Sequence, residues 1–135
     1  AAFQSRADML VKQYNGYSPL PGYNVNGALT LGENIGDNSG VAIAYKAYKL
    51  SLNGKEAPVI DGLTGDQRFF MGFGQVWRSK MREAAQIVQV KTDPHSPGQF
   101  RANGTMRNQP GFYEAFGVKE GDKMYLAPKD RVTIW

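Results

Sequence analysis

The sequence predicts a mainly α-helical fold with long ordered loops. Apolar residues recur at helical spacing near the N-terminus and again around residues 69–77. An S/T-x-x-E/Q signature opens two stretches, at Thr30/Glu33 and at Thr64/Gln67. Stretches rich in Pro, Gly and Asn separate these regions.

Phe3, Ala7, Leu10, Val11 and Tyr14 fall at three- and four-residue steps, which predicts an amphipathic helix over residues 1–15 with Gly16 as its stop. The stretch Gly16 to Gly27 carries Pro19, Pro21, Asn24 and Asn26 and reads as a loop that packs the Tyr17 and Tyr23 rings. A second helix is expected over 31–52, ending before Asn53-Gly54. Its Gly32, Gly36 and Gly40 each cost about 1 kcal/mol against Ala, so the row predicts another backbone packed very close. Residues 55–63, with Pro58, read as a surface excursion. A third helix is expected over 65–85, where Phe69, Phe70, Phe73, Val76 and Trp77 form a broad apolar face and Arg78, Lys80 and Arg82 alternate along the final turns. From Val90 onward the chain reads as irregular, because Pro94 and Pro97 interrupt any helix across Thr92–Gly98. Gln109 to Phe116 predicts one short helix with Gly117 just past its end, and Met124 to Trp135 an extended tail containing Pro128.

At 135 residues, 41% of them hydrophobic and 12% aromatic, the chain fits one domain with a real core. No apolar run approaches the roughly 20 residues of a membrane span. Residues 1–6 lack the charged start and apolar stretch of a signal peptide. The first residue is not Met and the opening reads as mid-helix, which suggests a chain cut from something longer. The net charge of +4 is spread over scattered basic residues, a solvated surface rather than the basic face that nucleic-acid binding needs. With no cysteine, disulfides and thiolate metal sites are excluded. With one histidine, a zinc site built inside this chain alone would be nearly all oxygen, which is unusual for zinc.

The stretch Thr30-Leu31-Gly32-Glu33-Asn34-Ile35-Gly36-Asp37 carries the most chemical information. Glu33 and Asp37 project from one helix face, one turn apart. One carboxylate can then hold a metal while the other orients a neighbouring ligand. The alternative is structural: Thr30 and Glu33 also spell a capping box that closes the first turn. His95, the only imidazole, sits in a Pro-bounded loop, with Arg101 six residues on. Such a pair can stabilise negative charge developing on a carbonyl oxygen, and Arg can grip a carboxylate in bidentate fashion. Asp93 either hydrogen-bonds His95 or makes a turn, and His95 itself can equally be an incidental surface residue.

Taken together, three motifs carry a resemblance. Val25 through Gly40 resembles the segment of neprilysin-type M13 metallopeptidases that holds their third zinc ligand. Val90-Lys91-Thr92-Asp93-Pro94-His95-Ser96-Pro97-Gly98-Gln99-Phe100-Arg101 resembles that family's loop near the C-terminus, and Phe69 through Trp77 matches between them, in the same order and spacing. The resemblance covers essentially the whole chain. It implies the C-terminal portion of a zincin-type, thermolysin-like catalytic lobe, residues 1–135 lying after the family's H-E-x-x-H helix.

By the same resemblance Glu33 would be a ligand to one zinc ion, whose other ligands lie outside this chain. Asp37 would fix the ring of a zinc-binding histidine. His95 would hydrogen-bond the oxyanion of the tetrahedral intermediate, and Arg101 would bind a backbone carbonyl of the peptide substrate. Val76 and Trp77 would line an apolar pocket for the side chain just after the scissile bond. The implied activity is a zinc-dependent endopeptidase cleaving oligopeptides on the amino side of apolar residues.

The H-E-x-x-H motif, with its two histidine ligands and general-base glutamate, and the upstream Asn-Ala-Tyr/Phe segment are both absent from these residues. The isolated chain is therefore expected to be inactive. Its apolar face would be covered by the remainder of the catalytic domain or by a second copy. Many relatives end in Cys-x-x-Trp, whereas this chain has Arg131 at the Cys position, which fits a bacterial-type member. Localisation follows the resemblance only: periplasmic, secreted or at the cell envelope. The alternative function is a non-catalytic binding or scaffold module derived from the family.

Overall fold

Helix α1 (Ala2–Asn15) opens the computed structural model, which describes residues 2–135. Ala1, placed in the first predicted helix, lies outside the described residues. The α1 face predicted to be apolar buries Ala7, Leu10 and Tyr14, while Phe3 stays half exposed and stacks on Trp135. Gly16 ends the helix as expected, its N–H bonding back to the Gln13 carbonyl. The following loop packs Tyr17 face to face against Phe100, with ring centroids 4.8 Å apart.

Helix α2 (Leu31–Ser51) matches its predicted span to within a residue, and Asn53 and Gly54 both leave it with positive φ. The capping box that Thr30 and Glu33 offered as the structural alternative does not form. Asn26 closes the turn instead. Its side-chain oxygen accepts from the N–H groups of Ala28 and Leu29, and its carbonyl accepts from the Thr30 N–H. The Thr30 hydroxyl is then turned inward, donating to the Asn26 carbonyl and accepting from the Asn34 side chain. Glu33 is thereby released from a capping role. The glycine row also departs from expectation, since a Cβ at Gly32, Gly36 or Gly40 would meet nothing within 4 Å. These glycines border open space.

Helix α3 (Gly65–Val76) begins at the predicted capping box, with Thr64 Oγ accepting from the Gln67 amide and Gln67 Oε1 accepting from the Thr64 amide. It ends nine residues before its predicted limit of 85. Gly72 and Gly74 weaken its last turns, and Trp77 and Ser79 close tight turns onto the Gly74 and Trp77 carbonyls. Arg78, Lys80 and Arg82 therefore lie in a connection, not along a helix. Helix α4 (Glu83–Thr92) carries the chain into the region predicted to be irregular from Val90, and it stops before Pro94. Helix α5 (Gly98–Met106) also falls in that region and departs from the irregular chain expected there. Helix α6 (Pro110–Phe116) confirms the short predicted helix, and Gly117 ends it in the left-handed region at φ 62°. The tail is extended apart from one 3₁₀ turn at Pro128–Asp130.

Two apolar clusters hold these helices together. Leu10, Tyr14, Val25, Phe100, Val132 and Ile134 join α1, the first loop, α5 and the tail. Val41, Phe70 and Met106 join α2, α3 and α5. Helix α5 thus contributes to both clusters and touches α1, α2 and α3. Its approach to α1 depends on Gly104, where a Cβ would sit 2.8 Å from the Tyr14 hydroxyl and 2.9 Å from its ring carbon. The result is that α5 and the Pro-bounded loop before it lie against the first turns of α2. No disulfide contributes, as the chain has no cysteine.

Candidate active site

Four of the side chains singled out in the sequence converge where α2 meets the loop 93–97 and α5. Glu33 and Asp37 extend from α2, Arg101 from the first turn of α5, and His95 from the loop. Arg101 Nε donates to Asp37 Oδ2 at 2.6 Å and Nη2 donates to Asp37 Oδ1 at 2.8 Å, a bidentate pairing. Nη2 also reaches Glu33 Oε2, more loosely, at 3.4 Å. The Arg101 and Asp37 side chains are only 12% and 10% exposed. Bonding to Asp37 raises the Arg101 pKa above its ordinary value.

His95 closes the other side of Glu33, with Nε2 standing 3.3 Å from the same Oε2. Asp93 fixes the imidazole from behind. Its Oδ1 accepts from the His95 amide at 2.8 Å and lies 2.7 Å from the ring Nδ1. Those two hydrogen bonds, the amide first, lower the Asp93 pKa below its usual value, so Asp93 acts as a carboxylate acceptor. Of the two sequence alternatives for Asp93, both are realised in one residue: it makes the turn and orients the ring. With Nδ1–H directed at Asp93, Nε2 is left facing Glu33 and solvent.

Trp77 enters the site in a way the sequence did not suggest. The Arg101 guanidinium sits over its ring, with Cζ 3.9 Å from the centroid. Val76 is 71% exposed and makes none of these contacts. Next to Asp37, a cleft of about 350 Å³ opens between α2 and α3, lined by Gly36, Gly40, Val41, Ala44, Phe69 and Phe73. The open glycine row of α2 therefore forms one wall of an apolar cleft that ends at the acidic site.

Two further residues, Asn34 and Ser96, join the site without any motif that marks them for it. Both are buried, and the Ser96 hydroxyl donates to Asn34 Oδ1 at 2.9 Å. The one signal for them is position: each directly follows a candidate residue, Glu33 or His95, and on a helix or tight loop the next side chain turns to a different side.

Among the described residues no group of three or more His, Cys, Asp or Glu side chains is placed to hold a metal ion. Glu33 is nevertheless free to take further contacts. Its side chain is 44% exposed, and its Oε2 contacts at 3.3 and 3.4 Å are long for charged partners. A zinc site with an open position takes three protein ligands, so two would have to come from elsewhere.

The family model described as peptidase family M13 matches residues 1–132. Neprilysin-3 of Drosophila melanogaster is 37% identical over 137 residues, covering 98% of this chain and 17% of that protein. Endothelin-converting enzyme 1 of Rattus norvegicus is 42% identical over 138 residues, covering 99% of this chain and 18% of that protein. Among solved structures, the zinc metalloprotease of Mycobacterium tuberculosis in complex with an inhibitor superposes with a TM-score of 0.96 at 52% identity, over 98% of this chain and 21% of that one. PEPO from Lactobacillus rhamnosis gives a TM-score of 0.81 at 35% identity, over 99% of this chain and 20% of that one. The chain thus spans less than a fifth of the two named relatives' length. No helix of the described residues is long and apolar enough to cross a membrane.

Proposed function

Because the chain belongs to peptidase family M13, we propose that it is the C-terminal segment of the catalytic domain of a zinc-dependent endopeptidase that cleaves oligopeptides on the amino side of apolar residues. The observation that carries this reading is the convergence of Glu33, Asp37, His95 and Arg101 from two helices and a loop onto one acidic corner beside an apolar cleft.

In this reading Glu33 is one zinc ligand, and the two others, with the general base, come from residues outside this chain. The exposed, loosely held carboxylate suits that role. Zinc, when bound, supplies Lewis acidity toward the scissile carbonyl. Asp37 holds Arg101 and orients a ligand brought in by the rest of the domain. Arg101 keeps Nη1 outside the Asp37 and Glu33 hydrogen bonds, and that nitrogen donates to a substrate carbonyl. His95 donates from Nε2 to the oxyanion. Since Nδ1–H donates to the Asp93 carboxylate, donation from Nε2 as well requires the doubly protonated ring, whose charge faces two carboxylates. Trp77 stacks under Arg101, and Val76 lines the pocket for the substrate side chain once the remaining walls are present. The remainder of the catalytic domain covers the cleft between α2 and α3, where Gly36 and Gly40 let another backbone approach closely.

The test is cleavage of a peptide library by the full-length protein, with cut sites read by mass spectrometry. Cuts before apolar residues, abolished by a chelator and restored by zinc, are expected, and Glu33→Gln should lose both zinc and activity. Cleavage indifferent to the chelator would overturn the reading. Zinc-loaded full-length protein with no cleavage of any peptide would instead favour a non-catalytic binding module.

A further inference from the structure

We propose that the buried hydrogen-bonded chain Ser96–Asn34–Thr30 sets the position of His95 against Glu33, which makes Asn34 and Ser96 positioning residues. The inference rests on the reading of this corner as a peptide-hydrolysing site. Ser96 Oγ donates to Asn34 Oδ1 at 2.9 Å, Asn34 Nδ2 donates to Thr30 Oγ at 2.9 Å, and Thr30 Oγ donates to the Asn26 carbonyl at 3.1 Å. All three side chains are buried. The direction of the chain is fixed. The Asn26 carbonyl can only accept, so the Thr30 hydroxyl proton is committed there and Thr30 must accept from the Asn34 amide nitrogen. The Asn34 oxygen is then left to accept from the Ser96 hydroxyl.

The placement of this link in the sequence is what gives it consequence. Asn34 directly follows Glu33 and Ser96 directly follows His95, so the two ends of one hydrogen bond each lie a single residue from a group of the site. The exposed pair, Glu33 and His95, is held at 3.3 Å by long side chains facing solvent, while the buried pair ties their backbones together underneath. Pro94 and Pro97 flank the loop and limit its alternatives. Arg101 does not depend on this link, since Asp37 of α2 grips it and Trp77, just past α3, supports it. Loss of the link therefore displaces His95 and leaves Arg101 in place. An oxyanion donor acts in the transition state, whereas a carbonyl-gripping arginine acts on bound substrate, so the two are separable in kinetics.

The experiment compares Ser96→Ala, Ser96→Thr, Asn34→Leu, which removes the acceptor oxygen, and the double variant Asn34→Leu/Ser96→Ala in the full-length enzyme. It reads kcat and KM on a fluorogenic peptide, melting temperature, and hydrogen exchange of the amides of Asp93, His95 and Ser96. Ser96→Ala should lower kcat at least about tenfold with KM changed by less than about threefold, the mark of a transition-state donor moved out of place. Ser96→Thr keeps the hydroxyl and should retain most of kcat. The double variant should lose no more than the worse single, because both break one link. Exchange at His95 and Ser96 should quicken in Ser96→Ala. Unchanged kcat, or kcat and KM falling together in step with melting temperature, would overturn the proposal. Should the unaltered enzyme cleave no peptide, the reading of the site fails by itself and exchange decides the link: faster exchange at His95 in Ser96→Ala upholds it as the device that places the loop, and unchanged exchange removes it.

Discussion

The Arg101 guanidinium sits over the Trp77 ring, 3.9 Å from its centroid, while its Nε and Nη2 hold both oxygens of Asp37. One charged group is thus fixed on its face by the end of α3 and at its edge by α2, leaving Nη1 directed elsewhere. An arginine bound only by its edge could swing about the Asp37 carboxylate; the ring beneath removes that freedom.

Trp77→Ala in the full-length enzyme should therefore raise KM about tenfold, by loss of the cation–π contact and the support it gives. Trp77→Phe should recover most of the loss because it restores an aromatic face. Steady-state kinetics on one peptide checks this, and equal damage from both substitutions would count against the stacking role.

Asp37→Ala should destabilise the chain by about 3 kcal/mol, since it strands a largely buried guanidinium. Thermal unfolding should show a fall of about 10 °C. A shift under about 2 °C, less than 1 kcal/mol in a domain of this size, would mean that solvent or Glu33 takes over the charge.

Alkaline pH should weaken the fold through Tyr14 and Tyr45. Burial, the main cause in both, raises their pKa well above the usual value, with Asp66 adding to the effect at Tyr45. The unfolded chain ionises these phenols near pH 10, and the folded chain keeps them neutral to higher pH. The stabilisation is therefore complete below about pH 10 and is lost as pH rises above it. Ultraviolet absorbance of the phenolates across an alkaline titration, read as the difference from the Tyr14→Phe and Tyr45→Phe variants, should show these two ionising only as the helical circular dichroism collapses. Ionisation of all seven with helicity intact would contradict this.

The chain by itself should self-associate or bind a hydrophobic dye, because the cleft formed by Gly36, Gly40, Ala44, Phe69 and Phe73 lies open. Sedimentation of the isolated 135 residues tests it. A monodisperse monomer that leaves the dye dark would show that this face needs no cover. The same preparation should bind zinc weakly and cleave nothing, given a single candidate ligand; activity lost on Glu33→Gln would refute that.

Much of the fold could be read from local signals. Helix α1 followed from the spacing of Ala7, Leu10 and Tyr14, α3 from the Thr64/Gln67 box, and α6 from Gly117. Helix α5 escaped because Gly98, Asn103 and Gly104 give it little intrinsic helix preference. It is helical through its packing, with Phe100 and Met106 placed in separate clusters. The box at Thr30 misled for the opposite reason: a sound local pattern lost to Asn26, which caps the turn first, and to Asn34, which needs the hydroxyl.

The candidates for the chemistry could be picked out before any folding was considered, because carboxylates one helical turn apart, a single histidine and an arginine in a matching run are features of order and spacing. The family was legible in the same way, through three motifs in register along the whole chain. Folding in three dimensions sets the rest: Arg101 closes on Asp37 and rests on Trp77, Val76 stands apart, and Asn34 and Ser96 tie the two halves of the candidate site together. Asp37 and Arg101 lie 64 residues apart in the chain, and Asn34 and Ser96 lie 62 apart. Pairings at that distance depend on how α5 is seated between α1, α2 and α3 rather than on any neighbour in the chain.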